Sequence, residues 1–363
     1  MAADSPADTK YPAPEAPPGR FETPAWLRDL WYFAMPGRAL KPGAMVAKTM
    51  LGEPVLIARG SDGRVFALRD ICPHRGIPLS CGRFDGREVE CRYHGWRFDG
   101  SGGCTAIPSL VEGQDVDPGR IKVRRYPVEE AHGNIWVYFG AEGDTPPPVP
   151  APPGMEAANQ RHVETMVFPG ALDHAVVGLM DPAHGPYVHR SWWWRTKASV
   201  HAKAKAFAPA RLGFRMVRHA PSKNSFAYKI LGGKPETEIE FQLPGIRIET
   251  IEAGRHRFVG MTALTPIDEG SCEVNQIMYW TMPWLTVLKP LLRPFIRAFL
   301  GQDRDVVAMQ QAGLKHDPRL MLIDDADTQA KWYFVLKREF ARARAEGRPF
   351  ANPVKETVLR WRS

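Results

Sequence analysis

Cysteine is scarce in this chain. Five cysteines in 363 residues are too few to staple a fold of this length, which excludes a disulfide scaffold. Long apolar runs are missing too: no stretch of about 20 uninterrupted apolar residues occurs, so a membrane-spanning helix is not expected. The first residues, Met-Ala-Ala-Asp-Ser-Pro, lack the basic and apolar regions of a secretory signal, and a cytoplasmic location is expected. No Gly-x-Gly-x-x-Gly follows a strand-like run, so the chain carries no fingerprint for NAD or flavin. Acidic excess is absent as well, the formal net charge being +8. The basic residues are scattered and no nucleic-acid motif accompanies them, so no nucleic-acid partner is expected. An acidic electron-donor protein or an anionic membrane surface suits that charge better, with Lys122, Arg124 and Arg125 as candidate contacts.

What is present is a paired arrangement of cysteine and histidine. Cys72-x-His74 is followed sixteen residues later by Cys91-x-x-His94. Zinc ribbons and fingers tend to pair Cys with Cys and His with His, whereas each pair here is mixed. One Cys and one His per loop suit a [2Fe-2S] cluster with both cysteines on one iron and both histidines on the other. A structural zinc knuckle is the alternative. Cys81, Cys104 and Cys272 are left over and read as buried or free thiols.

Around these loops the chain reads as short strands separated by Gly/Asp/Pro turns, from Pro54-Val-Leu-Ile to Asn134-Ile-Trp-Val-Tyr-Phe139, which predicts a small antiparallel β domain over residues 25–144. An Ala/Pro-rich tail (1–24) is expected to be disordered. Thr145-Pro-Pro-Pro-Val-Pro-Ala-Pro-Pro153 is expected to be a stiff linker marking a domain boundary. In the second domain, 154–363, long alternating strands such as Val200–Phe207 and Glu273–Trp280 give way to a helical end from Leu285 to about Arg344, an α+β pattern. Ala171–His189 has helical spacing.

The stretch from Cys72 to His94 closely resembles the Rieske domain of Rieske non-heme iron oxygenases, in the style of the catalytic, alpha-type components of monooxygenases and demethylases. The resemblance continues through Asp181-Pro-Ala-His184-Gly-Pro-Tyr-Val-His189 and Gly301-Gln-Asp303-Arg-Asp305. Two histidines five apart would not face one way on a regular helix, but a break at Pro186 would let both imidazoles reach one metal. Two histidines and a carboxylate with open positions form the facial triad of non-heme Fe(II) oxygenases. By resemblance, His184, His189 and Asp303 are the expected ligands of a mononuclear iron, with Asp305 as fallback because the register of a helix start is uncertain. Asp181 is expected to bridge His94 of one protomer to His184 of the next in a head-to-tail homotrimer. The resemblance further implies a helix-grip catalytic domain behind an N-terminal all-β Rieske domain, and a separate reductase, with or without a ferredoxin.

Where many relatives carry Asn near substrate and iron, this chain has Gly178, which puts family-typical polar substrate contacts in question. Trp192-Trp-Trp194 is a candidate pocket wall. The apolar segment 283–300, studded with Lys289, Arg293 and Arg297, is a candidate for peripheral membrane contact. The expected substrate is a bulky hydrophobic molecule, sterol- or terpenoid-like or aromatic. A ring-hydroxylating dioxygenase and a Rieske electron carrier without oxygen chemistry are the other readings considered.

Overall fold

The computed structural model describes residues 23–141, 143–189, 200–221 and 234–363. The tryptophans at 192–194 lie outside the described residues. The N-terminal part is all β. Strands β1 (Leu30–Pro36), β2 (Met45–Met50), β3 (Glu53–Arg59), β4 (Val65–Arg69), β5 (Arg83–Phe84), β6 (Glu88–Glu90), β7 (Arg97–Asp99), β8 (Cys104–Ala106), β9 (Arg125–Tyr126), β10 (Val128–Ala131) and β11 (Asn134–Phe139) form three antiparallel sheets. The sheet ordered β5-β6-β7-β8 frames the Cys/His loops.

The second part is built on one antiparallel sheet, ordered β12-β18-β17-β16-β15-β14-β13-β19. Its strands are β12 (His162–Phe168), β13 (Ala202–Ala210), β14 (Gly213–His219), β15 (Glu236–Gln242), β16 (Ile246–Ala253), β17 (His256–Asp268), β18 (Ser271–Trp280) and β19 (Thr357–Arg362). Helices α1 (Leu172–Met180), α2 (Gly185–Val188), α3 (Pro283–Leu314) and α4 (Thr328–Ala345) complete it. Successive residues of a strand point to opposite faces, and this sheet uses both. Ile246, Ile248, Val259, Met261, Ala263, Ile277 and Tyr279 share a core with Trp31, Phe33 and Trp136 of the N-terminal strands. The alternate residues Met166, Leu264 and Val274 pack with Leu172 and Val176 of α1. The architecture is α+β: an all-β domain, then an antiparallel sheet gripped by helices.

Several local expectations are corrected. The Pro-rich stretch is held against both parts: Pro147 O accepts from Trp31 Nε1 at 2.6 Å, and Val149 is buried in the shared core. Further bonds tie the two parts together, including Lys48 to Glu273 at 2.7 Å and Thr265 Oγ1 to Phe33 O at 2.7 Å. The C-terminal helical run is two helices, broken between 314 and 328, and it ends in β19, which no alternation had marked. In β13 Ala202, Ala204 and Ala206 are exposed and Lys203 and Lys205 are half-buried. An alanine methyl gains little from burial, while a lysine stem covers apolar surface and sends its ammonium to a partner, here Ser363 Oγ at 2.8 Å for Lys203. Arg124 bonds Glu53 at 3.3 Å and Gly140 O at 3.1 Å.

Candidate metal centres

The two Cys/His loops repeat one backbone scheme. In the first, Gly76 N donates to Cys72 O at 2.9 Å and Cys72 N donates to Ile77 O at 2.8 Å. In the second, Gly95 N donates to Cys91 O at 3.0 Å and Cys91 N donates to Trp96 O at 2.8 Å. Each loop closes on a glycine with positive φ, +76° at Gly76 and +71° at Gly95, a conformation that glycine adopts without a Cβ penalty. The cysteines are buried, and the Cys72 and Cys91 thiols lie against one another. Burial is the main cause pushing the Cys72 thiol up to about 11, with Cys91 adding to it. The imidazoles of His74 and His94 lie 4.5 Å apart between ring centroids, and His74 stacks on Trp96 at 4.6 Å. His74 Nδ1 is buried without a hydrogen-bond partner. Buried polar atoms are nearly always satisfied, so an inward nitrogen beside two facing thiols fits a missing electrophile. Two sulfur and two nitrogen donors match the [2Fe-2S] arrangement with mixed ligation.

The second cluster is assembled from the break after α1 and the middle of α3. Helix α1 ends at Met180; Asp181 caps the following turn by accepting from Ala183 N at 2.7 Å. The chain breaks over Asp181–His184, and Pro186 opens α2 rather than causing the break. Proline suits that position because a first-turn N–H has no intrahelical partner to lose. His184 and His189 therefore sit at either end of a one-turn helix and converge. Their Nε2 atoms are 3.3 Å apart, and Asp303 Oδ1 lies 3.8 Å from the first and 3.3 Å from the second. Ligands about 2.1 Å from a metal and at right angles stand about 3 Å apart, so this triangle is the right size for one face of an octahedron. Burial drives the Asp303 carboxyl up to about 7 and lowers the pKa of His184, because a desolvated site disfavours the charged form of each.

Asp303 lies well inside the 32-residue α3 and not at a helix start. Asp305 is turned away by two helical steps, about 200°; it is exposed and paired with Arg304 at 2.7 Å. Asp181 is half-buried, with Oδ2 3.7 Å from His184 Nδ1. Three neighbours were not singled out from the sequence. Gln302 Oε1 stands 3.0 Å from His189 Nδ1, and the Phe299 ring stacks on His189 at 3.7 Å. Gln302 is adjacent in sequence to Asp303, so the quoted motif already contained it. The third, Arg247 of β16, acts electrostatically on both His184 and Asp303, and only strand register places it there.

Residues 30–127 match the Rieske [2Fe-2S] domain, and residues 178–333 match the vanillate O-demethylase oxygenase C-terminal domain. The chain belongs to the Rieske non-heme iron oxygenases. It is 36% identical over 172 residues to chlorophyllide a oxygenase of Chlamydomonas reinhardtii, covering 47% of this chain and 25% of that one. It is 37% identical over 143 residues to 4beta-methylsterol monooxygenase of Methylococcus capsulatus, covering 38% of each. The matches thus span well under half the length of these relatives. Dicamba monooxygenase bound to dicamba superposes with a TM-score of 0.71 at 22% identity, covering 90% of this chain and all of that one. The Rieske match supplies the group that the first donor set fits, a [2Fe-2S] cluster, and the second donor set is a group of three residues able to hold a metal ion.

Proposed function

We propose that this chain is the oxygenase component of a Rieske monooxygenase system. It uses O2 and electrons from a separate NAD(P)H-dependent reductase, with or without a ferredoxin, to hydroxylate or oxidatively demethylate a hydrophobic small molecule. The observation that carries this reading is the His184/His189/Asp303 triangle standing in the same chain as a complete pair of Cys/His loops. Cys72 and Cys91 would hold one iron of the cluster, and His74 and His94 the other. When bound, the cluster supplies electrons and the mononuclear iron supplies the site of O2 reduction.

The protein's own part is positional. His189 would present Nε2 to a metal, with Nδ1 held by Gln302 Oε1 at 3.0 Å. Asp303 would supply the negative charge of a metal-binding set that, with three protein donors, suits O2 chemistry. Asp181 sits against His184 and is partly accessible, as a bridge to His94 of a neighbouring protomer in a head-to-tail trimer would require. On α3, Trp284, Val287, Leu288 and Leu291 are exposed. We assign that face to peripheral contact with a membrane surface, tested by flotation with anionic vesicles, where failure to float removes it. No described helix is long and apolar enough to cross a membrane.

The experiment is a single turnover of anaerobically reduced protein with heavy-isotope O2 and a panel of aromatic acids and terpenoids. One labelled oxygen in the product supports a monooxygenase. Two in an aromatic diol would make it a ring-hydroxylating dioxygenase, in which case a small beta subunit should co-purify. Iron analysis that finds the cluster pair and no further iron would leave only an electron carrier.

A further inference from the structure

Cross-strand pairing sets Glu164, Gln276, Thr262, Arg247, Phe241 and Phe214 in one transverse row on the helix-facing side of the large sheet. The apolar residues to one side of this row, Leu264 and Val274 among them, pack under α1. The β16 chain enters from the same place: a Cβ on Gly245 would fall 2.9 Å from Val176 Cγ2 of α1. Arg247 lies two residues further along that face, about 7 Å away.

A charged guanidinium on the inner face of a sheet is costly unless its donors are used. The other polar members of the row have partners. Glu164 is buried and bonds Arg297 at 2.8 Å and Arg293 at 3.4 Å. Thr262 Oγ1 donates to Gln276 Oε1 at 2.7 Å. Arg247 differs: its side chain keeps 23% of its exposure, and its one hydrogen bond among the described residues runs from Nη1 to Glu249 Oε2 at 3.0 Å. A guanidinium has five N–H donors in a planar fork, suited to two-point contact with an oxyanion. Its placement is independent of that bond: strand register sets it on the face that α1 covers, and α1 runs directly into the Asp181–His184 break. Among the described residues, Glu249 is the carboxylate bonded to Arg247, and Asp303 is the carboxylate of the metal-binding group. Glu249 orients the fork, and Asp303 is the carboxylate that the iron would neutralise.

We propose that Arg247 is the substrate-recognition residue, binding a carboxylate or sulfonate on an otherwise apolar substrate and so holding the apolar part at the His184/His189/Asp303 site. This rests on the oxygenase reading and narrows it. The substrate class becomes an aromatic or alicyclic acid, and a neutral sterol is disfavoured because it would leave the guanidinium desolvated and short of partners. No bond is made or broken by Arg247; its task is orientation.

The test uses the iron-loaded holoenzyme and matched probes: 4-methoxybenzoate against 4-methoxybenzamide, and toluene-4-sulfonate against its sulfonamide, with binding read by equilibrium dialysis. The acids are expected to bind at least about tenfold tighter than the neutral isosteres, the size of a charge-assisted hydrogen bond. Arg247→Gln is expected to abolish that ratio by weakening the acids and leaving the amides within about twofold, and Arg247→Lys to restore part of it. Glu249→Gln should tighten the acids by removing a competing carboxylate. Equal binding of acid and amide, no binding of any acid, or an unchanged ratio in Arg247→Gln overturns the inference. Should Arg247→Gln fail to fold, the wild-type ratio and the Glu249→Gln variant decide it. Iron content is read on the same samples: a normal content without anion preference sinks this inference alone, whereas absence of the mononuclear iron sinks the oxygenase reading beneath it.

Discussion

Replacing Gln302 by alanine tests the mononuclear centre without touching a ligand. His189 is buried, 2% exposed, and its Nδ1 stands 3.0 Å from Gln302 Oε1. That contact fixes the tautomer: Nδ1 carries the proton, and Nε2 keeps a lone pair for the metal. In Gln302→Ala a buried N–H loses this acceptor, which costs about 1–3 kcal/mol. The Phe299 ring, stacked 3.7 Å from the imidazole at an interplanar angle of 15°, still holds the ring plane, so the lower half of that range applies. About 1–2 kcal/mol corresponds to roughly 5–30-fold weaker iron binding, consistent with the general effect of losing an outer partner of a metal-binding histidine. The assay is iron retention against a graded chelator, with the visible spectrum of the cluster as internal reference. The cluster lies in the other domain and should not change. Gln302→Glu keeps an acceptor and should keep the iron. Equal iron affinity in wild type and Gln302→Ala would refute the argument, and so would loss of cluster and iron together, which would indicate a folding defect.

Four further outcomes are expected. Asp303→Ala should release the mononuclear iron and retain the cluster, whereas Asp305→Ala should change neither, as metal analysis would show. Because burial raises Asp303 to about 7, its carboxyl holds its proton longer in the iron-free fold than in the unfolded chain. The Asp303 contribution to the stability of iron-free protein should therefore fall as pH rises from about 4 through 7, and thermal melts of wild type and Asp303→Asn compared across that range should differ by that slope. Asp181→Asn should keep both metal sites and slow oxidation of the reduced cluster about tenfold or more in single-turnover stopped flow. Lys337, 3% exposed, bonds both Asp173 oxygens at 2.7 Å and Ala25 O at 2.8 Å. Lys337→Met should cost about 2–4 kcal/mol by denaturant melts, less than a fully buried pair because Asp173 is partly solvated.

The cluster loops were legible because their geometry is local. Cysteine, histidine and the closing glycine fall within five residues in each loop, and short-range backbone bonds alone bring them together. His184 and His189 were legible for the same reason, although the break was misplaced at Pro186. Proline tolerates a first helical turn, and the chain turns at Asp181 instead. The long strands β16, β17 and β18 showed in their alternation, but alternation does not say which face is buried. In β13 Ala202, Ala204 and Ala206 are exposed, because pairing with β19 and the partners of its lysines fix the strand's orientation.

The sequence by itself determined the chemistry of the donors, their grouping in pairs and the order of an all-β part before a sheet-and-helix part, since all of these depend on neighbours along the chain. The tertiary structure decided what depends on neighbours across it. Asp303 rather than Asp305 meets the histidines because the angular phase of α3 is set by packing, more than a hundred residues from His189. Arg247 is set on the helix-facing side of the sheet only through the register of β15, β16 and β17. Register comes from which faces are covered, a sum over many weak contacts that no short stretch of sequence contains.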